Sequence, residues 1–529
     1  MTTQAPAKQP KITYSAVGGN MDEIHAGFEA ALEKVKTKYL GATHHPYIDG
    51  QHAKGEGSSF TTASPIDRDL AIGTFTSASD AQIDAAVRAA HRGQERWGAM
   101  SWQERVAAMR RAADAIRTHR YELAAIMSVE IGKNRMESLG DAEESADLID
   151  YYADQVESSN GYIRPMGQLS PNERTQDALR PYGVFVVIAP FNFPLALSTG
   201  MSSGALLGGN AVVYKPSVQA PLTGAELAAI YHEAGLPQGT FNLLFGSGEK
   251  VGEPLIHHPG VDGVAFTGSK DVGMRLMREF SAGGRYPRPL LGELGGKNAA
   301  IVTTSADLDM AAEGVMRSAF GLQGQKCSAC SRVYVDEKVA DKFLELLVAK
   351  TKAIVIGDPT KKEVYLGPVI SASAASKYDD AVTKARAAGN VLVGGERLTQ
   401  SPLDRGNYVA PVIIKLPLDH ELFGSELFLP FLSVGVTTSF DHSLAQANRS
   451  DLGLTGGLFS SDQKEIDRFF DTMEAGVLYV NRRTGATTGA WPGVNSFCGW
   501  KGSGITGKGG CGPYYVQQFM REQSRTQMV

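Results

Sequence analysis

Short apolar runs rich in β-branched residues alternate with amphipathic stretches of helical length over most of the chain. From residue 182 to about 291 the order is VFVVIA, a helical LALSTGMSSGALL, AVVYK, helix PLTGAELAAIYHEA, FNLLF, GVAFT and helix DVGMRLMREFSA. A second series follows, with NAAIV, helix LDMAAEGVMRSAFG, RVYVD, helix KVADKFLELLVAKTKAI, helical AVTKARAAG and VLVGG. Alternation of this kind predicts βαβ units and parallel sheets, and two such series predict two α/β domains adjoining near Glu293. Upstream, a polar leader precedes a helix around Met21–Tyr39, and the segment from about Ala78 to Gln155 reads as a run of helices. Ser79 with Gln82 and Ser101 with Glu104 have the spacing of capping boxes. The acidic positions of the last helix, Asp141, Glu144, Asp147 and Asp154, are expected on a solvated face.

Arg180 and Lys215 bracket 34 residues without a formal charge, more than the ~20 that span a bilayer. Pro190, Asn192 and Pro194 interrupt the run, and Gly208, Gly209 and Asn210 close it, so strand, buried helix and strand of an α/β core is the expectation. No membrane insertion follows from it.

Composition narrows the partners. The 529 residues are 43% hydrophobic and 21% charged, which suits large buried cores. Net charge is −5 and the pI about 6.2, which disfavours nucleic acid and anionic membranes and favours a small-molecule partner. Four cysteines are too few for a disulfide scaffold, and MTTQAPAKQPK has neither a signal-peptide core nor an arginine-rich transit pattern, so a cytoplasmic location is expected. The 59 glycines, about 11% of the chain, lack a period of three and point to tight turns or close backbone approaches.

Cys327 and Cys330 form C-x-x-C in GLQGQKCSACSR. A zinc site would need two further ligands, yet the other cysteines, Cys498 and Cys511, lie far downstream and His257 and His258 are adjacent, so no metal is expected. A thioredoxin-type pair should open a helix after a strand of a much shorter unit. The favoured reading takes Cys327 as a nucleophilic thiol in a loop shaped by Gly321 and Gly324, with Lys326 adding positive charge, and Cys330 as packing. Glu293 opens ELGGKN at the junction of the two series, where Gly295 and Gly296 are expected to free it to move. Asn192, in FNFP, follows a core strand at its carboxyl end, where its amide could donate to a developing oxyanion. Lys215 and Ser217 follow the next strand in the same way, and Gly268 and Ser269 open a helix whose amino terminus suits a pyrophosphate. GSGEKVG, from Gly246 to Gly252, is one residue too long for a dinucleotide fingerprint.

In this order, FNFP, KPS, FTGSKDVG, ELGGKN and GQKCSACSR resemble the NAD(P)-dependent aldehyde dehydrogenase superfamily, from about residue 45 to the end. The resemblance implies two Rossmann-type α/β domains with a small oligomerisation hairpin and arm. Residues 1–158 and 179–291 would bind NAD(P), 292–495 would be catalytic, and 159–178 with 496–529 would form a homo-oligomer of at least two chains. It implies Cys327 as the nucleophile that forms a thiohemiacetal, Asn192 and the Cys327 amide as oxyanion donors, and Glu293 as the base for thioester hydrolysis. Cofactor contacts would come from Ala189, Pro190, Phe191, Lys215, Ser217, Gly268, Ser269, Gly273, Leu294, Glu426 and Phe428. Val218 stands where many members have a ribose-binding glutamate, so NAD is favoured and NADP stays open. Leu429 replaces the usual glycine of E-x-F-G-P.

Within the superfamily, the chain resembles the branch of Δ1-pyrroline-5-carboxylate dehydrogenases, which oxidise L-glutamate γ-semialdehyde to L-glutamate in proline catabolism; another aldehyde is the alternative. The resemblance rests on Ser328 after the nucleophile, an amino-terminal extension, Glu137 in VEIGKNRMES, and Thr484-Gly485-Ala486. It implies that Ser328 and the amides of Gly485 and Ala486 hold the substrate α-carboxylate, with Glu137, Phe193 and Phe497 also at the substrate. The segment WPGVNSFCGWKGSG is read as about four residues longer than its counterpart, and the cluster Gly499 to Gly512 is left without a role.

Overall fold

A computed structural model describes residues 12–13, 20–54, 56–282 and 286–529. Most of the polar leader lies outside them. The helix predicted near residue 21 runs Met21–Lys38 and is capped by Asn20. Four helices, Asp80–Ala99, Trp102–Thr118, Arg120–Ile131 and Arg135–Ser158, account for the predicted helical run, and both capping boxes form in full.

The first sheet has seven strands. Five are parallel, in the spatial order Leu290–Glu293, Gly263–Thr267, Val184–Ile188, Ala211–Lys215 and Phe241–Leu243, and Tyr47–Ile48 and Gln51–His52 extend it antiparallel. From Val184–Ile188 the chain winds outward one way, then returns to Gly263–Thr267 on the other side. Loops therefore diverge between these two strands, the switch point at which open α/β sheets bind ligands. The uncharged run is strand, helix Ala196–Leu207 and strand, each almost wholly buried, because both sheet faces are covered and polar alternation would be costly. Among the described residues no helix is long and apolar enough to cross a membrane.

The second sheet is ordered Asn390–Val393, Val412–Lys415, Phe431–Thr437, Cys330–Asp336, Asn298–Val302, Thr455–Phe459 and Val477–Val480, parallel except at its first pair. A third sheet pairs Met520–Met528 with Glu173–Pro181 over nine positions, and Glu173–Pro181 with Ile163–Pro165. The hairpin thus continues to Pro181 instead of ending at 178, and the first sheet's edge strand ends at Glu293 instead of 291. Residues 496–512 do not join the hairpin: Leu294 N–H donates to Ser503 (2.9 Å) and Ile505 N–H to Gly292 (3.0 Å), so the glycine-rich segment wraps the end of that edge strand.

The acidic face of Arg135–Ser158 is not solvated as a whole. Asp141 is fully buried against Lys133 and Asp147 pairs with Arg117, because this face packs on helices Trp102–Thr118 and Ala196–Leu207; only Asp154 is exposed.

Candidate active site

The carboxyl ends of the first sheet's parallel strands present, in spatial order, Glu293 and Leu294, then Gly268 and Ser269, then Ala189 to Phe193, then Lys215 to Ser217, then Gly246. The cofactor residues read from the first α/β series, apart from Gly273, therefore lie along one sheet edge, with Glu426 and Phe428 coming from the second series. GSGEKVG belongs there too, although its spacing does not fit the fingerprint: Lys215 Nζ donates to Gly246 O (3.2 Å) and Pro216 O (2.9 Å). Burial pulls the Lys215 ammonium down to about 8. At Gly273 a Cβ would lie 2.3 Å from Leu294. Val218 is 37% exposed beside Lys215 and brings no carboxylate.

A cavity of about 440 Å³ opens where the two sheets meet, and Glu293, Leu294, Lys326, Cys327, Ser328 and Phe193 are in its wall. Asn192 is buried behind that wall, next to Phe193. The Cys327 thiol is pushed up to about 12 by burial and by the Glu426 and Glu293 carboxylates, against which the amides of Ser328 and Cys327 act. Glu293 is pushed up to about 8 by burial, opposed by a hydrogen bond from the Gly510 amide, and its Oε2 has no protein partner among the described residues. A buried carboxyl poised near neutrality with a free oxygen has the character of a general base.

The nucleophile peptide is gripped on every side. Leu322 and Gln323 hold left-handed backbone (φ 47° and 55°), a strained conformation for residues with side chains. Glu137 Oε2 accepts the Leu322 N–H (2.9 Å) and the Asn134 amide (3.0 Å), while Oε1 pairs with Lys326. Glu137 lines the cavity, and these three donors also make it a strut for the nucleophile loop. Asn298, the last residue of ELGGKN, donates to Cys327 O (2.7 Å) and Ala329 O (2.9 Å) and accepts from Thr455 N–H (2.9 Å). A Cβ at 296 would lie 2.2 Å from the Cys327 carbonyl oxygen, so close approach excludes a side chain there, while one at 295 would lie 2.1 Å from Glu426 Oε2 and displace that carboxylate.

Glu426 accepts the Gly296 N–H (2.8 Å), with Lys297 and Lys377 as its cationic neighbours. Phe428, at φ 63°, meets Phe191 edge to face at 5.9 Å. Leu429 avoids the left-handed region and is buried in the core, so position 429 requires no glycine here. These residues fit a dinucleotide: a carboxylate on bare glycine backbone has lone pairs left for ribose hydroxyls, with an ammonium and a helix amino terminus farther along the edge.

The second half of the cavity corrects the predicted carboxylate anchor. Gly485 N–H donates to Arg482 O (3.3 Å) and Ala486 N–H to Gly314 O (3.0 Å), and Ala486 is buried in the core. Neither lines the cavity; the same triplet recurs as Thr488-Gly489-Ala490, and these three do, beside Ser328 and Phe497. Among the described residues, the Gly489 and Ala490 N–H groups have no hydrogen-bond partner. The additional residues therefore precede the second triplet, and WPGVNSFCGWKGSG needs no insertion to bring Phe497 to the wall. The repeated Thr-Gly-Ala was the signal available in the sequence. Cys330 is buried with its thiol on Arg332 O (3.3 Å).

A model of the aldehyde dehydrogenase family matches residues 52–524. A 1-pyrroline-5-carboxylate dehydrogenase of Bacillus licheniformis is 33% identical over 513 residues, covering 96% of this chain and 97% of that protein. Among solved structures, 1-pyrroline-5-carboxylate dehydrogenase from Thermus with bound NAD is similar at TM-score 0.92 and 32% identity, with 100% of both chains covered. Betaine aldehyde dehydrogenase from Staphylococcus aureus in complex with NAD+ is similar at TM-score 0.88 and 27% identity, covering 95% and 97%.

Proposed function

Because the chain belongs to the aldehyde dehydrogenase family, we propose that it oxidises L-glutamate γ-semialdehyde, formed from 1-pyrroline-5-carboxylate, to L-glutamate with NAD, in proline degradation. The observation that carries the substrate is that Gly489 and Ala490, whose amides have no partner among the described residues, line the same cavity as Ser328 and Cys327. Two amides and a hydroxyl form a concave donor set for a carboxylate, and the thiol lies in the same wall.

Cys327 gives up its thiol proton to solvent and adds through sulfur to the aldehyde carbon, and the resulting oxyanion is met by the Asn192 carboxamide and the Cys327 amide. NAD, when bound, supplies the hydride acceptor; Glu426, Lys215 and the start of helix Lys270–Ala282 would hold it. Glu293 then takes a proton from the water that attacks the thioester, which releases L-glutamate and returns the thiol. The 1–158 and 182–293 portion serves the cofactor, and 298–495 the covalent chemistry. The exposed hairpin, with Leu169 98% exposed, serves self-association with the strand Met520–Met528, and the enzyme works in the cytoplasm.

The test is a single-turnover experiment with Glu293→Gln. It should form about one NADH per active site from pyrroline-5-carboxylate and then stall as a thioester on Cys327, visible by intact mass. Steady turnover at the wild-type rate would contradict the assignment of Glu293, and no NADH from wild-type enzyme would contradict the substrate.

A further inference from the structure

The peptide that carries Asn192 is itself held from behind by a buried ion pair. Lys133, at the bend between helices Arg120–Ile131 and Arg135–Ser158, and Asp141, on the second of these, are both 0% exposed. Lys133 Nζ donates to Asp141 Oδ2 (2.8 Å) and to the Asn192 carbonyl (3.0 Å), and sits 3.6 Å from the centre of the Phe193 ring. Asp141 Oδ1 accepts the N–H of Ala196 (2.7 Å), the first residue of helix Ala196–Leu207. The pair therefore grips FNFP at both ends, at the carbonyl of 192 and at the amide that follows the turn. The ammonium's three donors meet a carboxylate, a carbonyl and a ring face, so nothing in this cluster is left over.

Stability alone does not account for such a pair. Burying two charges costs several kcal/mol per ion, and well-packed apolar residues of similar size are often as stable or more so. What the pair supplies is direction, because a carbonyl held by an ammonium fixes its peptide plane, and the backbone conformation restricts the rotamers open to the side chain on the adjacent Cα.

We propose that Lys133, seated by Asp141, is a positioning residue that orients the Asn192 carboxamide toward the aldehyde oxygen at Cys327. The inference rests on the reading of Asn192 as an oxyanion donor. It gives a role to two charges that sequence reasoning had assigned none or had placed in solvent.

The test combines Lys133→Met with Asp141→Asn. Together they remove both charges, leave no unpaired ion and keep an acceptor for the Ala196 N–H. The expected result is a fall in kcat of about 30- to 100-fold, the low end of the loss when an oxyanion donor is removed, with KM for NAD and aldehyde within about threefold. In an Asn192→Ala background the same two changes should cost less than about threefold more, since residues acting through one group are not additive. Amide exchange of the 189–196 segment should quicken in the double variant, which a purely electrostatic role would not produce. If the Met variant does not fold, Lys133→Gln with Asp141→Asn, which keeps a donor toward Asn192, replaces it and should lose less than tenfold while Lys133→Ala with Asp141→Asn loses more. A double variant with kcat within threefold of wild type, while Asn192→Ala loses 30-fold or more, overturns the positioning role. Asn192→Ala with wild-type kcat overturns the oxyanion reading, and this inference with it.

Discussion

Asn298→Asp swaps one nitrogen for oxygen in a buried side chain and removes the clasp on the nucleophile. The asparagine donates to Cys327 O at 2.7 Å and Ala329 O at 2.9 Å, and its own oxygen takes the Thr455 N–H at 2.9 Å. An aspartate keeps the last contact and reverses the first two, so two buried carbonyls lose their donor and face a carboxylate. A buried acceptor left without its donor costs about 1–3 kcal/mol, so about 2–6 kcal/mol is at stake, before relaxation. Relaxation means moving the 327–329 peptide, because the Asn298 backbone belongs to a parallel strand hydrogen-bonded on both sides. If about 3 kcal/mol is relieved by displacing Cys327, the near-attack geometry is lost by roughly two orders of magnitude in kcat. Stopped-flow NADH formation measures that step, and the iodoacetamide rate at Cys327 reports the thiol independently. We expect kcat down by about 100-fold, altered alkylation, and a melting temperature lower by several degrees. Wild-type kcat and alkylation in a folded Asn298→Asp protein would refute the argument.

Other outcomes follow from the same geometry. Glu293 is pushed up to about 8 by burial, so it is mostly protonated at pH 7 and ionised above pH 8; hydrolysis of the thioester should rise roughly tenfold from pH 7 to 9 and level off, while a pH-independent single-turnover hydrolysis rate would oppose it. Ser328→Ala should lower kcat/KM for the semialdehyde by about 10- to 100-fold, the loss of a hydrogen bond to a charged group, and leave an uncharged aldehyde of equal length within threefold; equal losses on both would remove Ser328 from the anchor. Val218→Glu should weaken NADP binding, measured by calorimetry, by at least about tenfold through repulsion of the 2′-phosphate, with NAD affinity kept or improved; unchanged NADP affinity would show that position 218 does not face that ribose. Cys330→Ala should keep kcat within about threefold and cost about 1–2 kcal/mol in stability, as a small core truncation does; loss of turnover in folded protein would contradict its role as packing.

The strands and helices were legible because each apolar run was short, β-branched and bounded by glycine, proline or a capping residue. VFVVIA and AVVYK on either side of an uncharged helix are the clearest case, where burial on both faces erased polar alternation. The ordered motifs located the site because loops at the carboxyl ends of parallel strands converge whatever the intervening residues are. What a one-dimensional pattern concealed was partnership. Nothing in the string distinguishes Asp141, which meets a lysine eight residues away in the core, from a solvated acid on the same helix. Nothing near Glu137 in the string shows that it holds the Leu322 amide and Lys326. The second glycine of ELGGKN is explained by the Cys327 carbonyl, 31 positions away. Register was ambiguous at the Thr-Gly-Ala repeat because either copy could present amides, and the bonds from Gly485 to Arg482 and from Ala486 to Gly314 exclude the first.

The most direct measurement compares kcat/KM with NAD for pyrroline-5-carboxylate and for butanal, which lacks the α-amino acid head. An anchor made of Ser328, Gly489 and Ala490 predicts at least about a 100-fold advantage for the semialdehyde, since a carboxylate meeting three donors gains several kcal/mol over an alkyl end. Equal efficiency on the two, or a preference for butanal, would contradict the account.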